Sequence, residues 1–183
     1  MKSLFLNPKD LYLMVIDPQE KLMAVIHEAE RVTRNISLLL RWAKVFEVPV
    51  IPTTQYAKGL GPYVEPLQEL VKEYQVFDKV EFSAFKNEAI LEACRRVGRS
   101  SIVICGVETH ICVYQTALSA LEEGQRVIVV ADATSSRTPA NMEYGLWRLR
   151  ELGISIYSTE MIIYETLEKA GTPAFKALLP YLK

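Results

Sequence analysis

The chain has 183 residues, of which 50% are hydrophobic and 23% are charged. This composition excludes a disordered chain, and the length predicts a single domain that spans residues 1–183. Lysine and arginine total 21 against 22 aspartate and glutamate residues, and no block of like charge occurs. The sequence therefore gives no support to a nucleic-acid partner.

The chain has no apolar stretch that approaches the ~20 residues of a membrane-spanning helix, so we expect no membrane partner. Near the N-terminus, Pro8 interrupts the first apolar segment before the core of a signal peptide could form. The three cysteines, Cys94, Cys105 and Cys112, cannot all pair and lack the spacing of a metal-binding Cys-x-x-Cys. We therefore expect a cytoplasmic protein in a reducing compartment.

Short β-rich runs alternate with helical patterns along the chain. Several of these runs are apolar at consecutive positions, which is typical of parallel strands covered on both faces. Six strands are predicted in chain order: Leu11–Ile16, Val48–Pro52, Gln75–Phe77, Ile102–Cys105, Val127–Val130 and Ile154–Tyr157.

The segments between these strands have apolar residues at helical spacing, most clearly within residues 32–46, 90–97 and 142–152. Glycines follow three helical segments, where left-handed helix ends are expected: Gly98, Gly124 and Gly153. The alternation of strand, helix and glycine predicts an α/β fold, with a six-stranded parallel sheet covered by helices on both faces.

Ligands of parallel α/β sheets bind beyond the carboxyl ends of the strands. At these positions the chain has no glycine-rich phosphate loop, because the segment after Cys105 has one glycine and neither nucleotide-binding fingerprint. We therefore expect no dinucleotide, and nothing in the sequence indicates another cofactor.

Cys112 is the strongest candidate for a nucleophile. It lies near the start of a predicted helix, where unpaired backbone N–H groups favour a thiolate and lower the thiol pKa. The same N–H groups could stabilise an oxyanion. Its position is equally compatible with a small buried side chain. We expect Cys94, on an apolar helical stripe, and Cys105, inside a strand, to be core residues.

Asp17 ends the first predicted strand, and Lys79 follows the third. Asp17 could be a general base at the sheet edge, although its position alone favours a cap for the next helix. Lys79 could be a solvated surface lysine, or a cation that keeps Asp17 charged and supports a thiolate.

The two histidines, His27 and His110, favour neither a Cys–His dyad nor a metal site. His110 is two residues before Cys112, and residues two apart on a helix point to different sides. The second strand leads into Thr53–Thr54–Gln55, which lacks the Asp-x-His pattern of a metal-binding loop. We therefore expect no metal.

The residues at the strand ends resemble those of the isochorismatase-like cysteine hydrolases. The resemblance runs from about Leu11 to the C-terminus and keeps the order of the family's motifs. It rests on Asp17–Pro18–Gln19, Lys79 followed by Phe82–Ser83–Ala84–Phe85, the segment 106–113, and Asp132–Ala133–Thr134–Ser135–Ser136–Arg137.

Within this family, the sequence looks closest to the short hydrolases whose substrates are unassigned. Nicotinamidases carry an Asp-x-His metal site that Thr53–Thr54–Gln55 lacks, which argues against metal-assisted recognition of a pyridine ring. Isochorismatases proper lack the cysteine and cleave a vinyl ether by acid chemistry. The presence of Cys112 therefore favours acyl transfer.

The resemblance implies a three-layer Rossmann-like fold with strand order 3-2-1-4-5-6. It also implies a catalytic triad of Asp17, Lys79 and Cys112. In this family a cis peptide bond precedes the residue that matches Glu108, and backbone N–H groups near Glu108 and Cys112 form the oxyanion hole.

We expect a hydrolase that acts on a small-molecule carboxamide through a thioester on Cys112, with Asp17 moving the proton. Two alternatives stay open: vinyl ether hydrolysis with Asp17 as the acid, and a non-catalytic oligomeric binding protein. Five side chains are candidates for the substrate pocket, although core packing is at least as expected for the aromatic ones: Gln19, Tyr56, Phe82, Phe85 and Tyr114.

A homo-oligomer is expected, because members of the resembled family commonly assemble. The C-terminal region also has more apolar side chains than a small terminal segment needs: Met161–Ile162–Ile163–Tyr164, Phe175, Leu178, Leu179 and Tyr181. The alternative is that this region packs on its own sheet.

Overall fold

The computed structural model describes residues 4–182, and within this range the chain forms a six-stranded parallel sheet. The strands are β1 Leu11–Ile16, β2 Val50–Gln55, β3 Phe77–Lys79, β4 Ser101–Val107, β5 Arg126–Ser135 and β6 Ser155–Tyr157. They lie in the order β3–β2–β1–β4–β5–β6, and every neighbouring pair is parallel. The predicted fold class, strand number and strand order are confirmed.

Helices connect the strands and cover the sheet. They are α1 Glu20–Met23, α2 Ala29–Val45, α3 Ala57–Leu60, α4 Glu65–Val71, α5 Glu88–Val97, α6 Tyr114–Glu122, α7 Pro139–Glu151, α8 Thr159–Leu167 and α9 Pro173–Leu178. A π-helical turn, Thr109–Val113, leads directly into α6. As predicted, left-handed glycines follow α5, α6 and α7.

Strand β1 shows how the sheet separates two hydrophobic layers. Leu13 and Val15 pack in a cluster with α2, α4, α8 and α9. The alternate residues, Met14 and Ile16, pack in a second cluster with α5, α6 and α7. Complete burial of each such side chain stabilises the folded state by about 1.5–3 kcal/mol. This gain on both faces explains why β1 is apolar at every position.

The predicted bounds are right for β1, whereas those of the other five strands differ from the structure by one or more residues. β2 begins at Val50 rather than Val48, and β3 begins at Phe77 rather than Gln75. The buried polar residues Thr53 and Thr54 continue β2 because they pair in register with β3. A pattern based on apolar residues misses this extension.

The apolar C-terminal region divides between core and surface. Its buried members pack in the cluster that contains Leu13 and Val15 of β1. They are Ile162, Ile163 and Leu178. Its exposed members are Met161, Tyr164, Leu179 and Tyr181. Within residues 4–182, the structure has no helix of the length and apolar character needed to cross a membrane.

Candidate active site

Asp17 lies at the carboxyl end of β1 and is completely buried. Its backbone has φ 51°, a left-handed conformation that costs a non-glycine residue about 1–2 kcal/mol. Its carboxylate accepts hydrogen bonds from Thr53 Oγ1 at 2.6 Å and from Lys79 Nζ at 2.7 Å. The helix cap that the sequence favoured is wrong, because Gln19 precedes α1 and Asp17 is bound to neighbouring strands instead.

Lys79 ends β3, and its ammonium group is buried between two acceptors. Nζ donates to Asp17 Oδ2 at 2.7 Å and to Gln55 Oε1 at 2.6 Å. A buried ammonium without such partners would be strongly destabilising, so this geometry excludes the surface-lysine alternative. Gln55 in turn donates from Nε2 to the Val80 carbonyl at 2.8 Å, which orients its oxygen toward Lys79.

Cys112 lies in the π-helical turn before α6. It is the most exposed of the three cysteines, at 6% against 2% for Cys94 and 0% for Cys105. Its thiol interacts with the Asp17 carboxyl and with the backbone of Glu108. The structure therefore brings Asp17, Lys79 and Cys112 together at the edge of the sheet shared by β1, β3 and the turn after β4.

Burial and the negative charge of Asp17 raise the pKa of the Cys112 thiol to about 12, against the opposing influence of Lys79. The sequence-based expectation of a lowered pKa is wrong, because desolvation outweighs the position at the helix start. Burial also raises the pKa of Asp17, while Lys79 and Thr53 oppose this rise. The raised pKa of Cys112 favours its neutral thiol, and the raised pKa of Asp17 makes its carboxylate a stronger base than an exposed one.

The turn after β4 contains the cis peptide bond that the resemblance implies, between Val107 and Glu108. The Glu108 side chain is 8% exposed, and its Oε2 accepts hydrogen bonds from the Arg137 backbone N–H at 2.9 Å and from Arg137 Nε at 3.2 Å. The backbone of Glu108 reaches the Cys112 thiol. One residue thus connects Cys112 with an arginine that follows β5.

Hydrogen bonds from the end of β5 also hold the π-helical turn. Thr134 Oγ1 lies 2.9 Å from Thr109 Oγ1, and Ser136 Oγ lies 2.9 Å from His110 Nδ1. Gly145 of α7 packs against the His110 backbone, where an added Cβ would lie 3.1 Å away. These contacts fix the turn that carries Cys112, and they direct the His110 ring to a serine.

Gly106 lets the turn that carries Cys112 approach Asp17. It pairs with Ile16 on β1 and has φ 111°. A Cβ at this position would lie 2.0 Å from the Ile16 carbonyl oxygen, so only glycine permits the observed distance between β1 and β4.

The side-chain amide of Gln19, a predicted pocket residue, forms hydrogen bonds with backbone groups. Oε1 accepts from the Gln55 N–H at 2.7 Å, and Nε2 donates to the Gly61 carbonyl at 2.7 Å. Gln19 therefore fixes the backbone of Gln55, whose side chain holds Lys79. A direct contact between Gln19 and substrate stays a prediction.

The four predicted aromatic pocket residues differ in exposure. Phe85 is buried in the hydrophobic cluster that includes Cys112, and the half-buried Tyr114 packs against this cluster. Tyr56 and Phe82 expose more than half of their surface. Tyr56 also donates its backbone N–H to the Lys79 carbonyl, so the backbones of these two residues are adjacent. Contact of these side chains with substrate is untested.

Sequence reasoning assigned no role to three residues that hold the site, although they lie in segments that follow predicted strands: Thr53, Gln55 and Arg137. Thr53 and Gln55 follow the second predicted strand, at the edge where ligands of such sheets bind. Their polarity at a predicted strand end was the available signal. In the part of the chain that the structure describes, no three His, Cys, Asp or Glu side chains form a group that could hold a metal.

The isochorismatase domain model matches residues 12–161 of this chain. The chain belongs to the isochorismatase family of hydrolases. It is 35% identical over 182 residues to the secreted isochorismatase effector Isc1 of Phytophthora sojae. This match covers 97% of this chain and 87% of that relative. The family resemblance seen in the sequence is confirmed.

Solved structures support the same isochorismatase-family fold. The MAR1 ribonuclease of Caenorhabditis elegans has 29% identity and a TM-score of 0.89, covering 97% of this chain and 92% of that one. The YcaC product of Escherichia coli, described as an octameric hydrolase of unknown specificity, has 25% identity and a TM-score of 0.91. The match covers 99% of this chain and 92% of the bacterial one.

Proposed function

We propose that this isochorismatase-family hydrolase is a cysteine-dependent amidase that cleaves the C–N bond of a small carboxamide. The observation that carries the proposal is the group formed by Cys112, Asp17 and Lys79, in which Lys79 Nζ is 2.7 Å from Asp17 Oδ2. A thiol beside a buried carboxylate provides a nucleophile together with its base.

In the first half of the reaction, the Asp17 carboxylate takes the proton from the Cys112 thiol as sulfur attacks the carbonyl carbon. A C–S bond forms, and the oxyanion accepts hydrogen bonds from the backbone N–H groups of Glu108 and Cys112. The intermediate then collapses, the C–N bond breaks, and protonated Asp17 gives its proton to the leaving ammonia.

In the second half, water hydrolyses the thioester on Cys112. Asp17 accepts a proton from the water as the oxygen attacks the thioester carbon. The C–S bond breaks, the acid is released, and the proton returns to the thiolate. The raised pKa of both groups supports this exchange, because a base is effective when its proton affinity is close to that required by the reaction.

Lys79 has an electrostatic role in this mechanism. Without a cation, burial would keep Asp17 protonated and unable to act as a base. The hydrogen bond from Lys79 keeps the carboxylate charged, and Gln55 holds the ammonium group in place. Lys79 also favours the thiolate as the proton leaves Cys112.

The proposal is tested by ammonia release from a panel of small carboxamides, with wild-type protein and Cys112→Ala side by side. We expect release that depends on Cys112, and a covalent acyl adduct on that residue by mass spectrometry. Turnover that survives in Cys112→Ala would overturn the assignment of the nucleophile. Cys94→Ala, in a buried helix position, is the matched control.

The same panel tests the other functions. Pyruvate release from isochorismate that survives in Cys112→Ala would identify ether hydrolysis with Asp17 as the acid. Because the nematode relative in structure is named a ribonuclease, an RNA substrate belongs in the panel. Inactivity on every compound would favour the oligomeric binding protein. A cytoplasmic location stays a prediction.

A further inference from the structure

We propose that Glu108 makes this site selective for uncharged carboxamides, because its carboxylate neutralises Arg137 at the start of the turn that carries Cys112. The inference rests on the proposed function and names the charge of its substrate class. The backbone of Glu108 interacts with the Cys112 thiol. Its side chain, which pairs with Arg137, would determine specificity.

The charged side chains that the structure brings to the site form two ion pairs. Asp17 and Lys79 are 2.7 Å apart, with both side chains fully buried. Glu108 and Arg137 are 3.2 Å apart, and the Glu108 carboxylate is nearly buried, while 57% of the Arg137 side chain is exposed. Each pair sums to no net charge.

A neutral pair of this kind gives a charged substrate no unpaired counter-ion. A carboxylate that enters the site loses hydration. Only a free cation or several hydrogen-bond donors would offset the free energy of this desolvation. Lys79 is committed to Asp17 and Gln55. The charge of Arg137 is offset by the Glu108 carboxylate, which accepts hydrogen bonds from Arg137 Nε and from its backbone N–H. An uncharged carboxamide avoids most of this desolvation penalty.

Glu108 holds Arg137 with one carboxylate oxygen, Oε2, that receives both donors. Replacement of this carboxylate by an amide of the same shape would remove the negative charge and leave Arg137 as an unpaired cation at the start of the turn that carries Cys112. The structure therefore predicts that Glu108→Gln shifts the preference of the site toward anionic compounds.

The test compares two alkylating reagents of similar size, the neutral iodoacetamide and the anionic iodoacetate. Second-order rate constants for Cys112 are measured at pH 9 and low ionic strength, where charges are weakly screened, and assigned by peptide mass mapping. The ratio of the two constants is divided by the same ratio for a small free thiol. We expect a normalised preference for iodoacetamide in the wild-type protein of roughly tenfold, because a carboxylate that enters the neutral site loses hydration without gaining a counter-ion.

The variants move this preference in opposite directions. Glu108→Gln should lower it by roughly tenfold, since it exposes the charge of Arg137. Arg137→Met should raise it further, because an unpaired Glu108 repels iodoacetate. The matched controls are Glu123→Gln and Arg95→Met, which change the net charge equally at an exposed 3.0 Å pair on α5 and the end of α6. These controls should leave the preference unchanged.

Different results overturn different claims. A wild-type protein without a preference for iodoacetamide, or variants of Glu108 and Arg137 that match the controls, would overturn this inference alone. If Glu108→Gln fails to fold, Arg137→Met decides the same question. A Cys112 that neither reagent alkylates at any pH would overturn the proposed nucleophile, and this inference with it.

Discussion

The Nζ atom of Lys79 lies 2.7 Å from Oδ2 of Asp17, and neither side chain is exposed to solvent. Breaking such a buried pair by removal of one partner leaves an uncompensated charge, which usually costs about 3–5 kcal/mol. The remaining group therefore becomes neutral, and the proton equilibrium of the whole site changes with it. This relationship yields predictions about both activity and stability.

Lys79→Met should reduce amidase turnover by at least ~10²-fold, the scale for the loss of a positioned charge partner. Asp17 would bind a proton and could no longer accept one from Cys112. Since Lys79 also lowers the pKa of the thiol, iodoacetamide should alkylate Cys112 more slowly in the variant. A rate equal to wild type from about pH 6 to 9, around the free-thiol pKa of about 8.5, would remove Lys79 from the site.

The stability of Lys79→Met should fall as pH rises. In the folded variant, burial without Lys79 raises the pKa of Asp17 further above its unfolded value of about 3.9. A carboxyl group with a raised folded pKa contributes stability below its unfolded pKa and loses it as pH rises through the folded pKa. Because the pKa of Asp17 is already raised in the wild type, the two melting temperatures should diverge only as pH rises above that wild-type pKa. The double variant Asp17→Asn with Lys79→Met should remove this divergence.

Asp17→Asn should abolish amidase activity and yet speed the alkylation of Cys112. The Asp17 charge and its hydrogen bond raise the pKa of the thiol, so an asparagine would allow the thiolate to form at lower pH. The alkylation profile of the variant should lie at lower pH than that of the wild type, whose thiol pKa is raised to about 12. Slower alkylation across this range would contradict the direct interaction between the two side chains.

The sequence could predict the sheet, because parallel strands buried on both faces are apolar at consecutive positions. Strand β1 illustrates this, since all six residues of Leu11–Ile16 are buried and its bounds match the prediction. Motif order at the strand ends predicted Asp17, Lys79 and Cys112 as a group. Family membership is confirmed, while their catalytic roles stay a proposal.

The sequence could not predict quantities that depend on burial. The position of Cys112 before a helix indicates a lowered thiol pKa, yet desolvation by neighbouring elements reverses the direction. Similarly, Thr53 and Gln55 read as polar loop residues, although β-pairing carries them into β2 and toward Asp17 and Lys79. Such effects arise from contacts between segments distant in the chain.

Assembly in solution is a further prediction. The exposed apolar side chains of the C-terminal region include Met161 and Tyr164, and the bacterial relative in structure is an octamer. Light scattering at micromolar concentration should give a mass that is a multiple of 20.8 kDa. Met161→Glu should lower this mass if the region forms the interface, whereas a monomeric wild-type protein would contradict assembly.

Gly106→Ala tests how strictly the fold sets the distance between Asp17 and the turn that carries Cys112. An added Cβ would lie 2.0 Å from the Ile16 carbonyl oxygen, and φ 111° is unfavourable for alanine as well. Because the clash is with backbone, either β1 or β4 must shift at the residue next to Asp17. We expect a loss of more than ~3 kcal/mol in the free energy of unfolding, together with the loss of Cys112-dependent turnover.

Gly124→Ala is the matched control, because Gly124 also has a positive φ, 78°, but an added Cβ would meet nothing within 4 Å. Its cost should be only about 1–2 kcal/mol, the penalty for a left-handed alanine, with turnover retained. Urea unfolding at fixed pH gives the two free energies for comparison. Equal costs for the two variants would show that backbone conformation alone explains Gly106, and that the close approach of β4 to β1 does not determine the site.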